Sequence, residues 1–448
     1  MRLAPYWYTK THMTLSTQPY KGARDFYPED KRLQKYLFAS LRKSVEKYGY
    51  EEYDAPILES LDLYLAKTGE EIVNEQTYTF TDRGGRQVAI RPEMTPTVSR
   101  MVAARRQELA YPLRWYSIPN LWRYERPQRG RLREHWQLNV DIFGIESEQA
   151  ELEIISVANQ VFKDLGAKPD MYQIKLNSRQ LMDAIFTDYL GLDDAEAHSV
   201  AKLVDRMHKL EHAAFVAQLD AAISPSKRES GLTEKILAIL AAKKLTDLPQ
   251  EVQQHASSRL LQTVLDDLVA AGIGNAVFDI SVMRGFDYYT GIVFEIFDTH
   301  PENNRSMMGG GRYDGLVGLF GVEPVPTVGF GLGDATLANF VELHHLLPKL
   351  PTETTAYVAV LDGADGAAAS KVIREFRDEG VNLAVGRYGR KLQEHFKAAE
   401  KKGIEQLIIL GQKELDDNQL VLKNLATGQE ERHGMTRIAS LLQDHRRA

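Results

Sequence analysis

The chain has 448 residues, of which 43% are hydrophobic and 26% charged, and its formal net charge is −7. This composition is ordinary for a soluble globular protein of about three domains. The negative charge means that any nucleic-acid partner must be met by local basic patches. There is no cysteine, which excludes disulfides, thiolate catalysis and Cys-based zinc sites and fits a reducing compartment. Since there is neither a signal-peptide core nor a run of about 18 apolar residues, we expect a cytoplasmic protein with no membrane span.

In the first quarter of the chain, residues 1–17 are predicted to be an irregular extension. Mixed helices and strands follow. A helix begins at Tyr27–Asp30 and runs to about Tyr48, because leucines recur there at helical spacing. The further elements predicted before residue 110 are a strand at 51–54, paired strands at 77–81 and 88–91 around a glycine turn, and a helix from about 96 to 105.

An arginine-rich hairpin is predicted between Leu113 and Gly144. Two β-prone segments, Leu113–Glu125 and His135–Phe143, flank a loop that contains Arg126, Arg129, Arg131 and Arg133. Strand alternation places Gln137, Asn139 and Asp141 on one face of the returning strand. Guanidinium groups donate hydrogen bonds in pairs and stay charged, so this pattern favours a site for a small anion such as phosphate. The hairpin alone leaves open a solvated tip with ordinary surface charge.

The remainder is predicted to hold a helical insertion and a separate C-terminal domain. A helix at 149–165 precedes the insertion at about 170–256, and strands follow at 276–280 and 291–298. A glycine-rich link, Gly309–Asp314, then leads to Val328–Gly333 and a helix through Leu347, and the prolines within 346–355 mark a domain boundary. The C-terminal elements are strands at 357–361, 382–385 and 406–410 and helices at 366–379 and 390–402, which indicate a small α/β domain.

The C-terminal domain carries a basic run. Its members are Arg387, Arg390, Lys391, Lys397, Lys401 and Lys402. Such a run suits nucleic acid, although a charged helix is more often a solvated face.

Several motifs together resemble the histidyl-tRNA synthetase family. Met283-Arg-Gly-Phe-Asp-Tyr-Tyr-Thr290 is similar to its histidine-specific signature, and Arg123-Tyr-Glu-Arg-Pro-Gln-Arg-Gly130 resembles motif 2 of class II aminoacyl-tRNA synthetases. Arg91–Thr95 resembles the family's amino-acid-binding segment, and Gly309–Asp314 resembles a further glycine-rich segment of the family. The resemblance covers residues from about 18 to 448.

The resemblance implies a class II synthetase fold. It comprises an α+β catalytic domain at 18–347, with an antiparallel sheet flanked by helices and the helical insertion, and an α/β anticodon-binding domain at 353–448. It also implies a homodimer with the helix near 31–48 and the strand at 51–56 at the interface.

The resemblance also assigns the histidine contacts. A neutral imidazole offers one donor and one acceptor, so its pocket needs an acceptor and a donor. Asp141 and Tyr289 fill these roles in the family pattern, and Tyr288 lines the pocket. The remaining contacts implied are Glu93 to the substrate ammonium and Thr95 and Gln137 around the amino-acid backbone.

For ATP and tRNA, the resemblance implies Arg123 and Arg284 on either side of the α-phosphate and Glu125 near adenine. Mg²⁺ is implied as the partner of ATP, without identified ligands. Arg126 and Gln128 are expected to meet the tRNA acceptor end.

One position departs from the family pattern. Thr336 stands where motif 3 normally carries an arginine for the γ-phosphate. A loop arginine such as Arg131 or Arg133 could substitute, Mg²⁺ could carry more of the charge, or activation could be weaker. We predict that Arg131 holds the pyrophosphate end.

Two further patterns are interpreted as coincidental. His208-Lys-Leu-Glu-His212 has the H-x-x-E-H spacing of a zinc site, but no third ligand is evident and a solvated helix face is expected. Gly329-Phe-Gly-Leu-Gly333 lacks the G-x-G-x-x-G spacing of a dinucleotide loop, and its glycines are expected to let ATP approach a strand.

The predicted function is therefore ATP-dependent activation of L-histidine and its transfer to tRNA(His). The main alternative is a non-charging, histidine-binding paralogue that regulates ATP phosphoribosyltransferase, favoured only by the missing motif 3 arginine. A synthetase for another amino acid is opposed by the Asp141 and Tyr289 pairing.

Overall fold

The computed structural model describes residues 15–65, 76–283, 288–303 and 305–447. The chain divides into two compact units, one made of Met1–Phe26 and Gln34–Leu347 and the other of Tyr27–Leu33 and Pro348–Ala448. Within the described residues, no helix combines the length and the apolar composition that crossing a membrane requires.

The elements up to residue 165 follow the predicted order closely. In chain order they are α1 (Pro28–Glu46), β1 (Glu51–Glu52), β2 (Leu58–Ser60), α2 (Asp62–Leu65), β3 (Tyr78–Thr81), β4 (Gln87–Ile90), α3 (Thr95–Ala104), β5 (Leu113–Ser117), β6 (Asn120–Trp122), β7 (Glu134–Phe143) and α4 (Gln149–Asp164). Strands β2, β4 and β3 form a small antiparallel sheet.

The middle of the chain contains the helical segment and the remaining strands of the large sheet. These elements are β8 (Tyr172–Ser178), α5 (Arg179–Asp183), α6 (Asp194–Val204), α7 (His212–Ala222), α8 (Pro225–Glu229), α9 (Leu232–Leu240), α10 (Gln250–Gln253), α11 (Ala256–Ala270), β9 (Ala276–Phe278), β10 (Ile292–Asp298), β11 (Ser306–Arg312), β12 (Thr327–Gly333) and α12 (Asp334–Leu343).

The large sheet has nine strands among the described residues, in the order β1-β5-β7-β12-β11-β10-β8-β9, with β6 also paired to β7. Neighbouring strands are antiparallel except for the pairs at the two edges, β1–β5 and β8–β9, which are parallel. Helix α4 packs against β7 and β12, and its face contributes Ile154, Ile155 and Phe162 to the buried core. The predicted sheet flanked by helices is confirmed, as a mixed sheet that is mostly antiparallel.

The structure differs from the sequence prediction at the start of the helical insertion. Residues 172–178, placed in the insertion by their composition, form β8, which pairs with β10 over seven residues. Tyr172, Ile174 and Leu176 alternate with polar residues and are buried, which is the period expected of a strand. The helices also continue past residue 256, through α11 to Ala270.

The glycine-rich segment predicted as a link is a strand at the centre of the sheet. Gly309, Gly310 and Gly311 belong to β11, between β10 and β12. A Cβ at Gly310 would lie 2.2 Å from the carbonyl oxygen of Gly329, so a side chain there would force the strands apart. Glycine is a poor strand former when judged alone, and only this close approach explains its place here.

The second unit has its own five-stranded sheet, in the order β14-β13-β15-β16-β17. Its elements are β13 (Ala356–Val360), α13 (Gly366–Asp378), β14 (Leu383–Val385), α14 (Leu392–Lys401), β15 (Gln406–Leu410), α15 (Gln412–Asp416), β16 (Leu420–Asn424), β17 (Glu430–His433) and α16 (Met435–Arg447). The first three strands are parallel, as predicted, but β16 and β17 add an antiparallel hairpin that the sequence analysis missed. The polar, exposed sequence of β17 gives no strand signal of its own.

Candidate active site

The site is built on the row of polar side chains that alternation predicted on β7. Asp141, Asn139 and Gln137 are paired in register with Gly329, Gly331 and Gly333 of β12. Because these β12 positions lack a Cβ, the neighbouring side chains can lie across the strand. A Cβ at Gly329 would fall 2.1 Å from Asp141 Oδ1, and one at Gly331 would fall 2.6 Å from Gln137 Nε2. The β12 glycines therefore make room for protein side chains, rather than only for ATP as expected from the sequence.

Above this row lies a cavity of about 1040 Å³. This volume is at the upper end of ordinary small-molecule sites. Its lining includes most of the residues predicted to bind substrates: Glu93, Thr95, Arg123, Glu125, Gln128, Arg131, Gln137, Asp141, Tyr288 and Tyr289. The structure thus brings together residues that are up to 196 positions apart, from Glu93 to Tyr289.

Asp141 is the buried carboxyl group at the base of the cavity, with a residue exposure of 3%. Burial raises its pKa from 3.8 to about 7, and a hydrogen bond from the hydroxyl of Tyr313 acts in the opposite direction. Desolvation disfavours the charged form of a carboxyl group, whereas a donated hydrogen bond favours it. Sequence reasoning missed Tyr313, whose only signal was its place inside the family-like Gly309–Asp314 segment.

The two tyrosines of the signature line the same cavity as Asp141. The hydroxyl of Tyr288 donates to Glu93 Oε2 at 3.1 Å, and both residues are buried. The rings of Tyr288 and Tyr289 are 4.9 Å apart between centroids. The Tyr288 hydroxyl thus holds the carboxylate of Glu93, and Glu93 and Tyr289 line the same cavity.

The other wall comes from the hairpin. Arg123 Nε donates to the carbonyl oxygen of Pro92 at 2.8 Å, which fixes this arginine against the segment that carries Glu93. Glu125 is buried and accepts two hydrogen bonds from Arg131, one of them from Nη2 to Oε1 at 2.6 Å. The two residues expected to contact adenine and pyrophosphate are therefore paired with each other.

Arg133 does not belong to the cavity lining, contrary to the suggestion that it substitutes for the missing motif 3 arginine. It is 9% exposed, and its Nε donates to the carbonyl oxygen of Glu125 at 3.0 Å. Its guanidinium carbon lies 3.9 Å from the ring centroid of Tyr124, a cation–π contact. Arg133 therefore stabilises the base of the hairpin loop, outside the lining of the cavity.

Thr336 is buried at the start of α12 and lines the cavity. Its hydroxyl lies 3.1 Å from the carbonyl oxygen of Gly333 and 3.3 Å from that of Met307, so its hydrogen is used within the protein. A Cβ added to Gly130, in the hairpin loop, would be 3.1 Å from Thr336 Cγ2. The loop thus packs on the residue that replaces the expected arginine.

His135 is a second lining residue that the sequence analysis missed. Burial, and then the charges of Arg123, Arg24 and Arg131, lower its pKa from 6.5 to about 3, so the ring is neutral at physiological pH. Its buried Nδ1 has no hydrogen-bond partner among the described residues. No sequence signal separated it from the other histidines.

The remaining predicted residues differ in their relation to this arrangement. Arg126 and Gln128 are exposed in the hairpin loop, and Gln128 also lines the cavity and forms an isolated bridge with Arg131. Arg284 lies outside the described residues, and so does its predicted convergence with Arg123. His208 lies in a 3-10 turn with its Nε2 2.8 Å from Ser281 Oγ, whereas His212 begins α7, so the H-x-x-E-H spacing does not lie on one helix.

Comparison with known proteins identifies the family. A family model described as histidyl-tRNA synthetase matches residues 22–337. The chain is also 46% identical to a histidine–tRNA ligase of Leptospira biflexa over 92% of this chain and 94% of the relative. The chain belongs to the histidyl-tRNA synthetase family. This confirms the resemblance drawn from the motifs.

Other matches agree with this membership. A model described as an anticodon binding domain matches residues 355–445, in the second unit. A histidine–tRNA ligase of Thermoplasma volcanium is 37% identical over 92% of this chain and 95% of its own length. The crystal structure of histidyl-tRNA synthetase from Nostoc superposes with a TM-score of 0.78 at 23% identity, covering 96% of this chain and all of that one, which confirms the fold.

Proposed function

We propose that the protein is a histidine–tRNA ligase, which activates L-histidine with ATP and transfers it to tRNA(His). The observation that carries this proposal is the buried Asp141, which lines one cavity together with Tyr289 and Arg123. A carboxylate and a hydroxyl suit the donor and acceptor of an imidazole. A site built for paired hydrogen bonds rejects side chains that lack them by about 10⁴ or more.

The first step needs no nucleophile from the protein. The carboxylate of histidine attacks the α-phosphorus of ATP, and pyrophosphate leaves. Arg123 binds the α-phosphate, where negative charge develops, and Arg284 is proposed to do so from the other side. Glu93 receives the substrate ammonium, and Thr95 and Gln137 contact the amino-acid backbone. Fixed positive groups and positioning account for the acceleration of such transfers.

The nucleotide and the metal are assigned from the lining. Glu125 approaches adenine, and Arg131 binds the pyrophosphate end once it separates from Glu125. Mg²⁺ usually takes one or two carboxylates together with phosphate oxygens, and Glu295, a carboxylate that lines the cavity, fits that role. When bound, the ion would neutralise phosphate charge. The described residues contain no group of three or more side chains that could hold a metal ion.

Transfer of histidine to tRNA is proposed to use both units. Arg126 and Gln128, in the exposed hairpin loop, contact the acceptor end of the tRNA. The basic loop after β14, residues 386–391, contacts the anticodon. A homodimeric assembly, with α1 and β1 at the interface, and a cytoplasmic location are part of the same proposal. The regulatory alternative is not favoured, because the second unit matches the anticodon-binding model.

Histidine-dependent ATP–pyrophosphate exchange, followed by a tRNA-charging assay, tests this function. We expect exchange with histidine alone among the amino acids, and charging of tRNA(His). No exchange with any amino acid would favour the regulatory paralogue, and exchange with a different amino acid would reassign the substrate.

A further inference from the structure

The basic loop after β14 carries an exposed aromatic ring among its cations. Tyr388 is 44% exposed, and its neighbours Arg387, Arg390 and Lys391 are exposed as well. Arginine and lysine suit the phosphates of any RNA, whereas an aromatic ring offers a flat face to an unpaired base. The anticodon contact proposed for this loop uses its charges and leaves the ring without a role.

The ring of Tyr388 is anchored at its hydroxyl end. The hydroxyl oxygen lies 3.3 Å from Oγ of Ser370 in α13. A Cβ added at Gly366, the first residue of α13, would lie 3.8 Å from Tyr388 Cε2, which is an ordinary contact distance. The ring therefore rests against the start of α13 and still remains open to solvent. Because a ring held in this way loses little conformational freedom when a base stacks on it, the loop is prepared for binding.

A buried pair, Tyr357 of β13 and His395 of α14, supports the start of the loop. Nδ1 of His395 lies 3.5 Å from the Tyr357 hydroxyl oxygen, and both residues are buried. Gly386 lies against the pair, since a Cβ there would collide with His395 Nδ1 and would be 2.5 Å from the Tyr357 hydroxyl oxygen. The backbone nitrogen of Gly386 also donates to the carbonyl oxygen of Val358 at 2.9 Å. The loop therefore leaves the sheet at a fixed point.

His395 also interacts with the other end of the loop. Burial lowers the pKa of its imidazole, and the backbone of Arg390 acts in the opposite direction. The ring is therefore neutral at physiological pH, and it bears on the loop at both Gly386 and Arg390. Between these two residues, Gly389 has a φ of +73°, a left-handed conformation that glycine adopts without strain. The turn that presents Tyr388 is thus defined by a buried ring at its ends and by a glycine directly after the tyrosine.

We propose that Tyr388 is the surface on which one unpaired anticodon base of the tRNA stacks, in a position set by the buried pair Tyr357 and His395. This inference rests on the proposed function, and it assigns the base to the ring and the phosphates to the surrounding cations. Tyr388 is a binding residue in this arrangement, and His395 is a positioning residue that acts through the loop. Loss of a base–aromatic stack weakens binding about fivefold to a hundredfold.

The first test is the KM for tRNA(His) in the charging assay. Tyr388→Ala should raise it about fivefold to a hundredfold, while histidine-dependent pyrophosphate exchange stays unchanged because exchange needs no tRNA. Tyr388→Phe keeps the ring and loses only the contact with Ser370, so it should charge tRNA almost as wild type does. An unchanged KM in Tyr388→Ala, or an equal rise in Tyr388→Phe and Tyr388→Ala, would overturn the inference.

Full-length tRNA(His) transcripts in which one anticodon nucleotide at a time is made abasic identify the stacked base. With wild-type protein, removal of that base should raise the KM for tRNA to the same extent as Tyr388→Ala. With Tyr388→Ala, the same transcript should show little further loss, because the stack is already absent. If the effect of Tyr388→Ala simply added to that of the abasic nucleotide at every anticodon position, no base would stack on this ring.

Gly386→Ala tests the support of the loop. The new Cβ must displace His395 or the loop itself, so the KM for tRNA should rise several-fold with pyrophosphate exchange unchanged. The double variant Gly386→Ala/His395→Ala provides space for that Cβ and should recover part of the loss. Gly434→Ala is the matched control, because a Cβ there has no neighbour within 4 Å. Normal charging kinetics in Gly386→Ala would contradict the role of the buried pair.

The outcome for the proposed function is separate. Wild-type protein that neither exchanges pyrophosphate with histidine nor charges tRNA(His) would refute that function. If wild-type protein and Tyr388→Ala charge tRNA(His) equally well, only the stacking inference is wrong. Tyr388 is exposed, so its variants test the inference even if Gly386→Ala does not fold.

Discussion

Glu125 and Arg131, which are proposed to contact opposite ends of ATP, form a bidentate ion pair with each other at the cavity wall. Glu125 is buried, whereas the side chain of Arg131 is 41% exposed. The arginine is therefore the member that can swing toward a phosphate, while the carboxylate stays in place. ATP must compete with Glu125 for the guanidinium group of Arg131. A change at either residue should therefore alter how the other one binds the nucleotide.

Arg131→Ala should raise the KM for ATP in pyrophosphate exchange by about tenfold or more, as expected for the loss of a charge-assisted hydrogen bond. The KM for histidine should change little. Arg129→Ala is the control, because Arg129 lies in the same loop but its side chain is 52% exposed and pairs with Glu302. Unchanged ATP kinetics in Arg131→Ala would mean that another group binds the pyrophosphate end.

Gly329→Ala should impair histidine binding selectively. The new Cβ would lie 2.1 Å from Asp141 Oδ1 and 2.8 Å from the carbonyl oxygen of Val140, so the carboxylate must move. We expect the KM for histidine to rise by about tenfold or more, since a small displacement of a positioned group is costly. Gly315→Ala is the control, as a Cβ there has no neighbour within 4 Å. Normal histidine kinetics in Gly329→Ala would show that the position of Asp141 is not critical.

The row Gln137, Asn139 and Asp141 could be predicted from the sequence, because alternation in a strand is a local property and burial of one face enforces it. Tyr313 could not, since its position depends on β11 lying between two other strands. The glycines of β11 were predicted as a link, and they lie in a strand because of a close approach to residues of β12 that the local sequence does not show. Arg131 and Arg133 are two residues apart with the same chemistry, and only the surrounding aromatic rings separate the one that lines the cavity from the one that supports the loop.

Arg312→Met should destabilise the protein strongly. It would leave the carboxylate of Glu151 buried without its partner, and breaking such a pair costs about 3–5 kcal/mol in the free energy of unfolding. Arg105→Met is the comparison, because Arg105 and Glu108 form an exposed pair, at 68% and 65%, and such pairs contribute about 1 kcal/mol or less. Denaturant unfolding measures both. The double variant Arg312→Met/Glu151→Leu should recover part of the loss; a small effect of the single variant would contradict the burial of the pair.

The basic loop after β14 should contribute to charging and not to activation. Arg387 and Lys391 are exposed there, beside the exposed Tyr388. Arg387→Ala/Lys391→Ala should raise the KM for tRNA several-fold and reduce its salt dependence by about two phosphate contacts, with pyrophosphate exchange unchanged. Lys371→Ala is the control, since Lys371 is an exposed residue of α13 with a surface pair to Glu375. If pyrophosphate exchange and tRNA charging were lost to the same extent, the substitutions would be acting by destabilising the protein and not by weakening tRNA binding.

The neutral His135 should make the protein sensitive to acid. Its folded pKa of about 3 lies below the usual 6.5, so the unfolded chain binds a proton that the folded protein excludes, and stability falls as pH drops below 6.5. Asp141, whose folded pKa is raised from 3.8 to about 7, gives the opposite slope over an overlapping range. Asp141 is present in both proteins, so the difference between wild type and His135→Phe gives the contribution of the histidine to the pH dependence of the free energy of unfolding. The variant should gain about 1–2 kcal/mol relative to wild type on going from about pH 8 to pH 5, measured by urea unfolding at each pH. A pH-independent difference between the two proteins would mean that the pKa of His135 is the same in the folded and unfolded states, which would contradict its burial as a neutral ring.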